Sequence, residues 1–139
     1  MHPALGIDFG EARIGVAATD PLGMLAHPVE TIDVTRGDPC ERIAALCRER
    51  GIRAVVIGLP LRLDGSEGEA ARKVRSFARL LGARLPELPI IFVDESFTTS
   101  AAAEKLRAAG KRAKRQRPLI DQAAAVEILE TWLAAQAKD

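Results

Sequence analysis

Apolar positions come in short blocks over the first part of the chain. Ala4 to Phe9 forms one block that runs into Asp8-Phe9-Gly10, and Arg13 to Ala18 (RIGVAA) forms a second after a turn containing Gly10 and Glu11. Two such blocks around a tight turn predict a hairpin. Pro28 to Ile32 predicts a third extended segment. The period then changes: Asp38-Pro39 offers a cap and a proline at the first helical position, Ile43, Leu46 and Cys47 share one face, and Gly51 is a stop. Arg53 to Gly58 (RAVVIG) and Ile90 to Val93 (IIFV) are β-rich and predict buried strands. Between them, Ser66 with Glu69 three residues on matches a capping box, and Val74, Phe77, Ala78 and Leu81 give the helix that follows an apolar stripe. Thr98 or Thr99 caps a predicted helix from Ser100 to Ala109 that Gly110 ends, and Leu119 to Ala137 predicts a long last helix.

The order is therefore βββ-α-β-α-β-α-α. Opening hairpins demand antiparallel pairing and strands separated by helices demand parallel pairing. The expected fold is α/β, with a mixed five-stranded sheet, three antiparallel strands and then parallel ones, flanked by helices.

Composition narrows the class. At 139 residues, residues 1–139 are expected to form a single domain, and 47% hydrophobic with 28% charged residues excludes disorder as the main state. No apolar run approaches the roughly 20 residues needed to span a bilayer, and Met1-His2-Pro3 lacks the basic-then-apolar order of a secretory signal. A cytoplasmic location without membrane association is expected. Cys40 and Cys47 lie two turns apart on one predicted helix, too far for a disulfide, and neither His2 nor His27 stands at zinc-finger spacing from them. They are read as small buried hydrophobes. The balance of 20 Lys+Arg against 19 Asp+Glu gives no global nucleic-acid signature.

Local features carry more. Asp8 ends the first strand on the side of Ala4 and Gly6, over small residues, while Leu5, Ile7 and Phe9 face the other way. Its plain structural role would be an Asp-x-Gly turn. Asp94 and Glu95 follow the last strand, where α/β sheets place ligands, and alternation lets one of them share Asp8's side. Asp121 lies in the first turn of the predicted last helix, where helix-dipole stabilisation would explain it, yet its neighbours Ile120, Ala123, Ala124, Ala125, Val126 and Ile128 are apolar enough to pack that turn against the domain. Three carboxylates on separate elements, with no His or Cys ligand pattern, suit hard divalent cations, Mg²⁺ or Mn²⁺. Two such ions can activate water and neutralise a phosphodiester for in-line hydrolysis. Lys105, Arg107, Lys111, Arg112, Lys114, Arg115 and Arg117 crowd seven cations and no acid into 13 positions just before Asp121. Such a run is commonly a solvated surface; here it would deliver a polyanion backbone to the carboxylates.

Taken together, Gly6-Ile7-Asp8-Phe9-Gly10 with Arg13-Ile14-Gly15-Val16-Ala17, Gly58-Leu59-Pro60 with Asp64-Gly65-Ser66-Glu67-Gly68, Asp94-Glu95, and Ile120-Asp121-Gln122-Ala123-Ala124-Ala125 resemble the YqgF family, whose members also carry the names RuvX and pre-16S rRNA nuclease. The resemblance spans nearly the whole chain in the right order. It implies an RNase H-like domain related to Holliday-junction resolvases, with Asp8, Glu95 and Asp121 as the acidic, metal-holding triad and Asp94 turned away. It also implies structured RNA, namely pre-rRNA in ribosomal precursor particles, as substrate. Arg13 would contact phosphate or substrate, its plain alternative being an ion pair with Glu11 or Asp8. The cations Lys111, Arg112, Lys114, Arg115 and Arg117 would position the nucleic-acid backbone. Two departures bear on substrate preference: Ser96 stands where the family commonly has arginine after the glutamate, and Arg62 stands where asparagine is common.

Three rival functions follow from the same residues. A resolvase of DNA four-way junctions would use the same carboxylates in a homodimer rather than a monomer. A non-catalytic RNA-binding module in ribosome assembly would use the basic run alone. A nucleotide-clamping ATPase is disfavoured because it needs two such domains.

Overall fold

Residues 1–95 and 113–137 are described by the computed structural model, with side chains of the last helix described from residue 119 onward. Strands β1 (Ala4–Asp8), β2 (Arg13–Thr19) and β3 (Ala26–Asp33) come first, followed by a 3₁₀ turn at Val34–Arg36, helix α1 (Pro39–Arg50), β4 (Ala54–Leu59), α2 (Glu69–Arg84), β5 (Ile90–Asp94) and α3 (Ala113–Ala137). The sheet order is β3-β2-β1-β4-β5. β1 pairs antiparallel with β2 and parallel with β4, β2 antiparallel with β3, and β4 parallel with β5. The mixed sheet deduced from the element order is thus the one observed.

Strand alternation divides the interior in two. Leu5, Ile7, Ile14, Val16, Val55 and Ile57 face α1 and α2, where they meet Ile43, Leu46, Val74, Phe77 and Leu81. Ala4, Ala17, Ala54 and Val56 face α3 and pack against Ala125, Ile128, Leu129 and Trp132. Full burial of a side chain such as Ile128 or Leu129 is worth about 1.5–3 kcal/mol, so this seam holds α3 firmly to the sheet. The second face is built from small residues, which lets the helix axis come close. Cys40 and Cys47 are free and buried in the first cluster, and burial pushes the Cys47 thiol up to about 11.

Helix ends follow local chemistry in one case and depart from it in another. Asp38 caps α1 by accepting from the Cys40 and Glu41 amides, Pro39 opens the helix, and Gly51 closes it in the left-handed region at φ 62°. Ser66, by contrast, does not cap α2. Its amide and hydroxyl both donate to Asp64 Oδ1, at 2.9 and 2.6 Å, and the helix begins three residues later behind Gly68, with no side-chain cap. A local Asp-Ser turn has outcompeted the capping box.

Two other boundaries shift. β3 runs from Ala26 to Asp33, longer than Pro28–Ile32, because β2 offers a partner over its whole length with an irregularity between Val16 and Ala17. α3 starts at Ala113 rather than Leu119. Residues 113–117 (AKRQR) are good helix formers and carry the helix back through Pro118. The predicted helix Ser100–Ala109 lies outside the described residues. Among those described, no helix is long and apolar enough to cross a membrane.

Candidate active site

The C-terminal ends of the neighbouring strands β1, β4 and β5 lie on one edge of the sheet, and α3 crosses the face above them. Asp8 is the last residue of β1 and, in phase with Ala4 and Gly6, stands on the α3 side. On β5, Ile90 and Phe92 pack toward α1 and α2 whereas Ile91 and Val93 pack toward α3. Asp94 therefore continues the first set and is exposed; Glu95 continues the second and is 8% exposed. The Glu95 amide donates to the Leu59 carbonyl at 3.3 Å, which extends the β4–β5 ladder by one residue and fixes that orientation. Alternation thus resolves the Asp94-or-Glu95 choice.

Close approach of backbone completes the arrangement. A Cβ at Gly58 would lie 2.4 Å from Glu95 Oε2 and 2.5 Å from Ile128 Cδ1, so the glutamate folds back over a glycine. At Gly15 a Cβ would lie 2.0 Å from the Asp121 carbonyl oxygen, so α3 rests on bare strand there. Gln122 adds a side-chain bond to Thr31 Oγ1 at 3.0 Å, tying the same turn of α3 to β3.

The electrostatics report the crowding. Burial first, then the charge of Glu95, a side-chain hydrogen bond with Glu95 and the charge of Asp121 push the Asp8 carboxyl up to about 8. Asp8 accordingly keeps its proton at neutral pH, hydrogen-bonded to Glu95. Asp121 takes a different counterion: Arg13 Nε donates to its Oδ2 at 2.9 Å. Arg13 therefore pairs with neither Glu11 nor Asp8. Glu11 instead bonds Lys73 of α2.

Glu95 and Asp121 are close enough to raise Asp8, but the three carboxylates do not form a finished cation site. Among the described residues no group of three or more His, Cys, Asp or Glu has ligand geometry. The donor set nevertheless has the chemistry of one. It is all hard oxygen, and its excess negative charge is met by a retained proton and a borrowed guanidinium, both of which a divalent ion can replace.

Of the remaining expected site residues, Lys114, Arg115 and Arg117 fall on α3 ahead of Asp121, while Lys111 and Arg112 lie outside the described residues. Sequence reasoning missed the roles of Gly15 and Gly58. The signal was present, since glycine inside a strand marks close approach of another group.

A five-stranded mixed sheet in this order, with a helix covering the face on which Asp8 stands, is an RNase H-like fold. A sequence model of the RuvX family, described as Holliday junction resolvase, matches residues 2–135, and the chain belongs to that family. Relatives with the name "Putative pre-16S rRNA nuclease" include one from Mycobacteroides abscessus, 48% identical over 131 residues covering 93% of this chain and 79% of its own. Another, from Mycolicibacterium paratuberculosis, is 50% identical over 130 residues covering 93% and 78%. Among solved structures, Thermus thermophilus RuvC in complex with a Holliday junction substrate shares the fold, with a TM-score of 0.60 and 19% identity over 96% of this chain and 95% of that one.

Proposed function

We propose that residues 1–139 form one RNase H-like nuclease domain that hydrolyses RNA phosphodiester bonds in a cytoplasmic step of ribosome biogenesis, the maturation of the 5′ end of pre-16S rRNA. The observation that carries this reading is the convergence of Asp8, Glu95 and Asp121 at one strand edge, crowded enough that Asp8 keeps a proton. The names of relatives at 43–50% identity support RNA as the substrate class.

Asp8, Glu95 and Asp121 would hold one or two Mg²⁺ or Mn²⁺ ions. When bound, such ions supply activation of water and neutralisation of charge on the scissile phosphate and the departing oxygen. The chain's own residues do the rest. Gly15 lets the Asp121 turn rest on the sheet and Gly58 lets Glu95 fold over its strand, and Asp8 would give up its proton to hold a cation. Arg13 and the cations Lys111, Arg112, Lys114, Arg115 and Arg117 hold the nucleic-acid backbone without reading its sequence. Pre-rRNA within ribosomal precursor particles is the partner this arrangement serves.

A second reading has its own support, because the family description and the fold shared with RuvC point to DNA four-way junctions. The experiment offers a pre-16S rRNA leader fragment and a four-way DNA junction side by side, with Mn²⁺ or Mg²⁺. Metal-dependent cutting of the RNA alone is expected. Cutting of the junction in preference to RNA would transfer the assignment to a resolvase.

A further inference from the structure

Asp8 and Phe9 leave the end of β1 on opposite sides. Asp8 stands on the α3 side, whereas Phe9 packs against the cluster beneath α1 and α2. The half-buried Phe9 ring lies tilted on Phe77, with 4.7 Å between centroids. The rest of the ring borders a groove of about 350 Å³ between the β1–β2 turn, the residue after β4 and the first turns of α2. Phe9, Pro60 and Val74 give the groove an apolar lining, and Glu11, Glu69 and Lys73 give it a polar rim. It runs on past Arg72 and Ser76 along α2.

The charges decide which part of a nucleotide fits. Lys73 pairs with both Glu11 and Glu69, so the rim sets two carboxylates against one ammonium and is net negative. A phosphate is repelled there. A nucleobase is not: its faces suit an aromatic ring and a proline, and its edge carries donors for carboxylate oxygens. The Glu11 and Glu69 side chains are 72% and 77% exposed and retain lone pairs for such donors. Consecutive α-carbons are only about 3.8 Å apart, so the groove begins one residue from Asp8 and on the far side of the strand end.

We propose that this groove is a base subsite. It takes one unpaired nucleobase, from the nucleotide beside the phosphate presented to Asp8, and stacks it on Phe9. The inference rests on the reading of the chain as a nuclease of RNA, and no step of it requires a metal ion. A paired base is stacked on both faces and cannot enter, so the subsite selects RNA with a single-stranded or bulged nucleotide at that point. Adenine, guanine and cytosine present amino groups to the two carboxylates, whereas uracil presents carbonyl oxygens, so the amino-bearing bases are preferred.

The test measures binding of the pre-16S leader fragment in EDTA, together with a series of the same fragment made abasic at one position at a time. Wild type is compared with Phe9→Leu and Ala70→Leu. The first keeps an apolar contact with Phe77 but has no aromatic face; the second fills the groove from an exposed position of α2 and leaves the core alone. Wild type is expected to lose roughly 5- to 150-fold in affinity when one particular position is abasic, the range of one base–aromatic stack. Both variants should bind the intact fragment that much more weakly and no longer distinguish it from that abasic one. A Phe9 with a merely structural role would weaken every fragment alike and leave the discrimination in place, which would overturn the subsite. So would wild-type affinity in both variants, or a wild type that has no sensitive position; the nuclease reading would then still stand. Equal affinity for uracil and cytosine at the sensitive position would overturn the preference for amino-bearing bases. Failure of the wild type to bind any fragment would overturn the RNA reading itself, and the subsite with it.

Discussion

The α-carbon of Gly15 lies so close to the backbone of Asp121 that a methyl group added to it would sit 2.0 Å from the Asp121 carbonyl oxygen. This close approach sets the height of α3 above the sheet at the point where Asp121 comes near enough to Asp8 to act on its charge. A residue on one strand thus determines where a carboxylate on a distant helix can stand.

Gly15→Ala should therefore displace the α3 turn that carries Asp121. The clash is with backbone and cannot be relieved by a side-chain rotation, so the cost should reach the upper end of the roughly 1–3 kcal/mol typical of overpacking. A urea melt should show the lowered midpoint, and cleavage should fall more than stability accounts for. A wild-type midpoint with full activity would mean that α3 does not rest on Gly15.

The crowded Asp8 carboxyl predicts a pH dependence of stability in the metal-free protein. Desolvation and the neighbouring Glu95 raise its folded value from 3.8 to about 8. Between those values the folded chain holds a proton that the unfolded chain has lost, so stability falls as pH rises through this window and levels off above it. Asp8→Asn, which has no proton to lose, should remove this slope and be more stable than wild type at pH 8, by on the order of 1–3 kcal/mol. Urea denaturation in the presence of a chelator at several pH values checks this. Equal slopes in the two proteins would contradict it.

A control at the other end of the sheet should separate stability from chemistry. The Ala4 amide donates to Thr19 Oγ1 at 2.8 Å in the buried interior. Thr19→Val keeps the shape and leaves that N–H without a partner, which should cost about 1–3 kcal/mol. Cleavage below the melting range should be unaffected, because Ala4 is at the opposite end of β1 from Asp8.

Replacing Lys114, Arg115 and Arg117 together with alanine should weaken RNA binding uniformly across sequences. The slope of log affinity against log salt should shrink by about 0.7–0.9 for each phosphate that these cations neutralise in the wild type. A slope equal to wild type would show that these residues are a solvated surface and no part of the interface.

How much of this was legible in the sequence depends on the range of the interaction involved. The side on which Asp8 stands follows from strand alternation, and so does the choice of Glu95 over Asp94 once β5 is placed. Asp38, Pro39 and Gly51 bound α1 as their local chemistry requires. Ser66 misled because two local patterns competed and the shorter-range one, its turn with Asp64, prevailed. The partner of Arg13 was hidden for the opposite reason. Asp121 is 108 positions away, and only the packing of α3 onto Gly15 brings the two together.

The central claim is that Asp8, Glu95 and Asp121 act as one cation-holding, phosphodiester-cleaving unit. It is tested most directly by Mn²⁺-dependent cleavage of a pre-16S rRNA leader fragment by wild type, Asp8→Asn, Glu95→Gln and Asp121→Asn, each shown to be folded. Loss of cleavage by at least about 100-fold, or 2.7 kcal/mol of barrier, in all three variants is the predicted result. Cleavage at the wild-type rate by any one of them would remove that residue from the unit, and metal-independent cleavage by all would contradict the account.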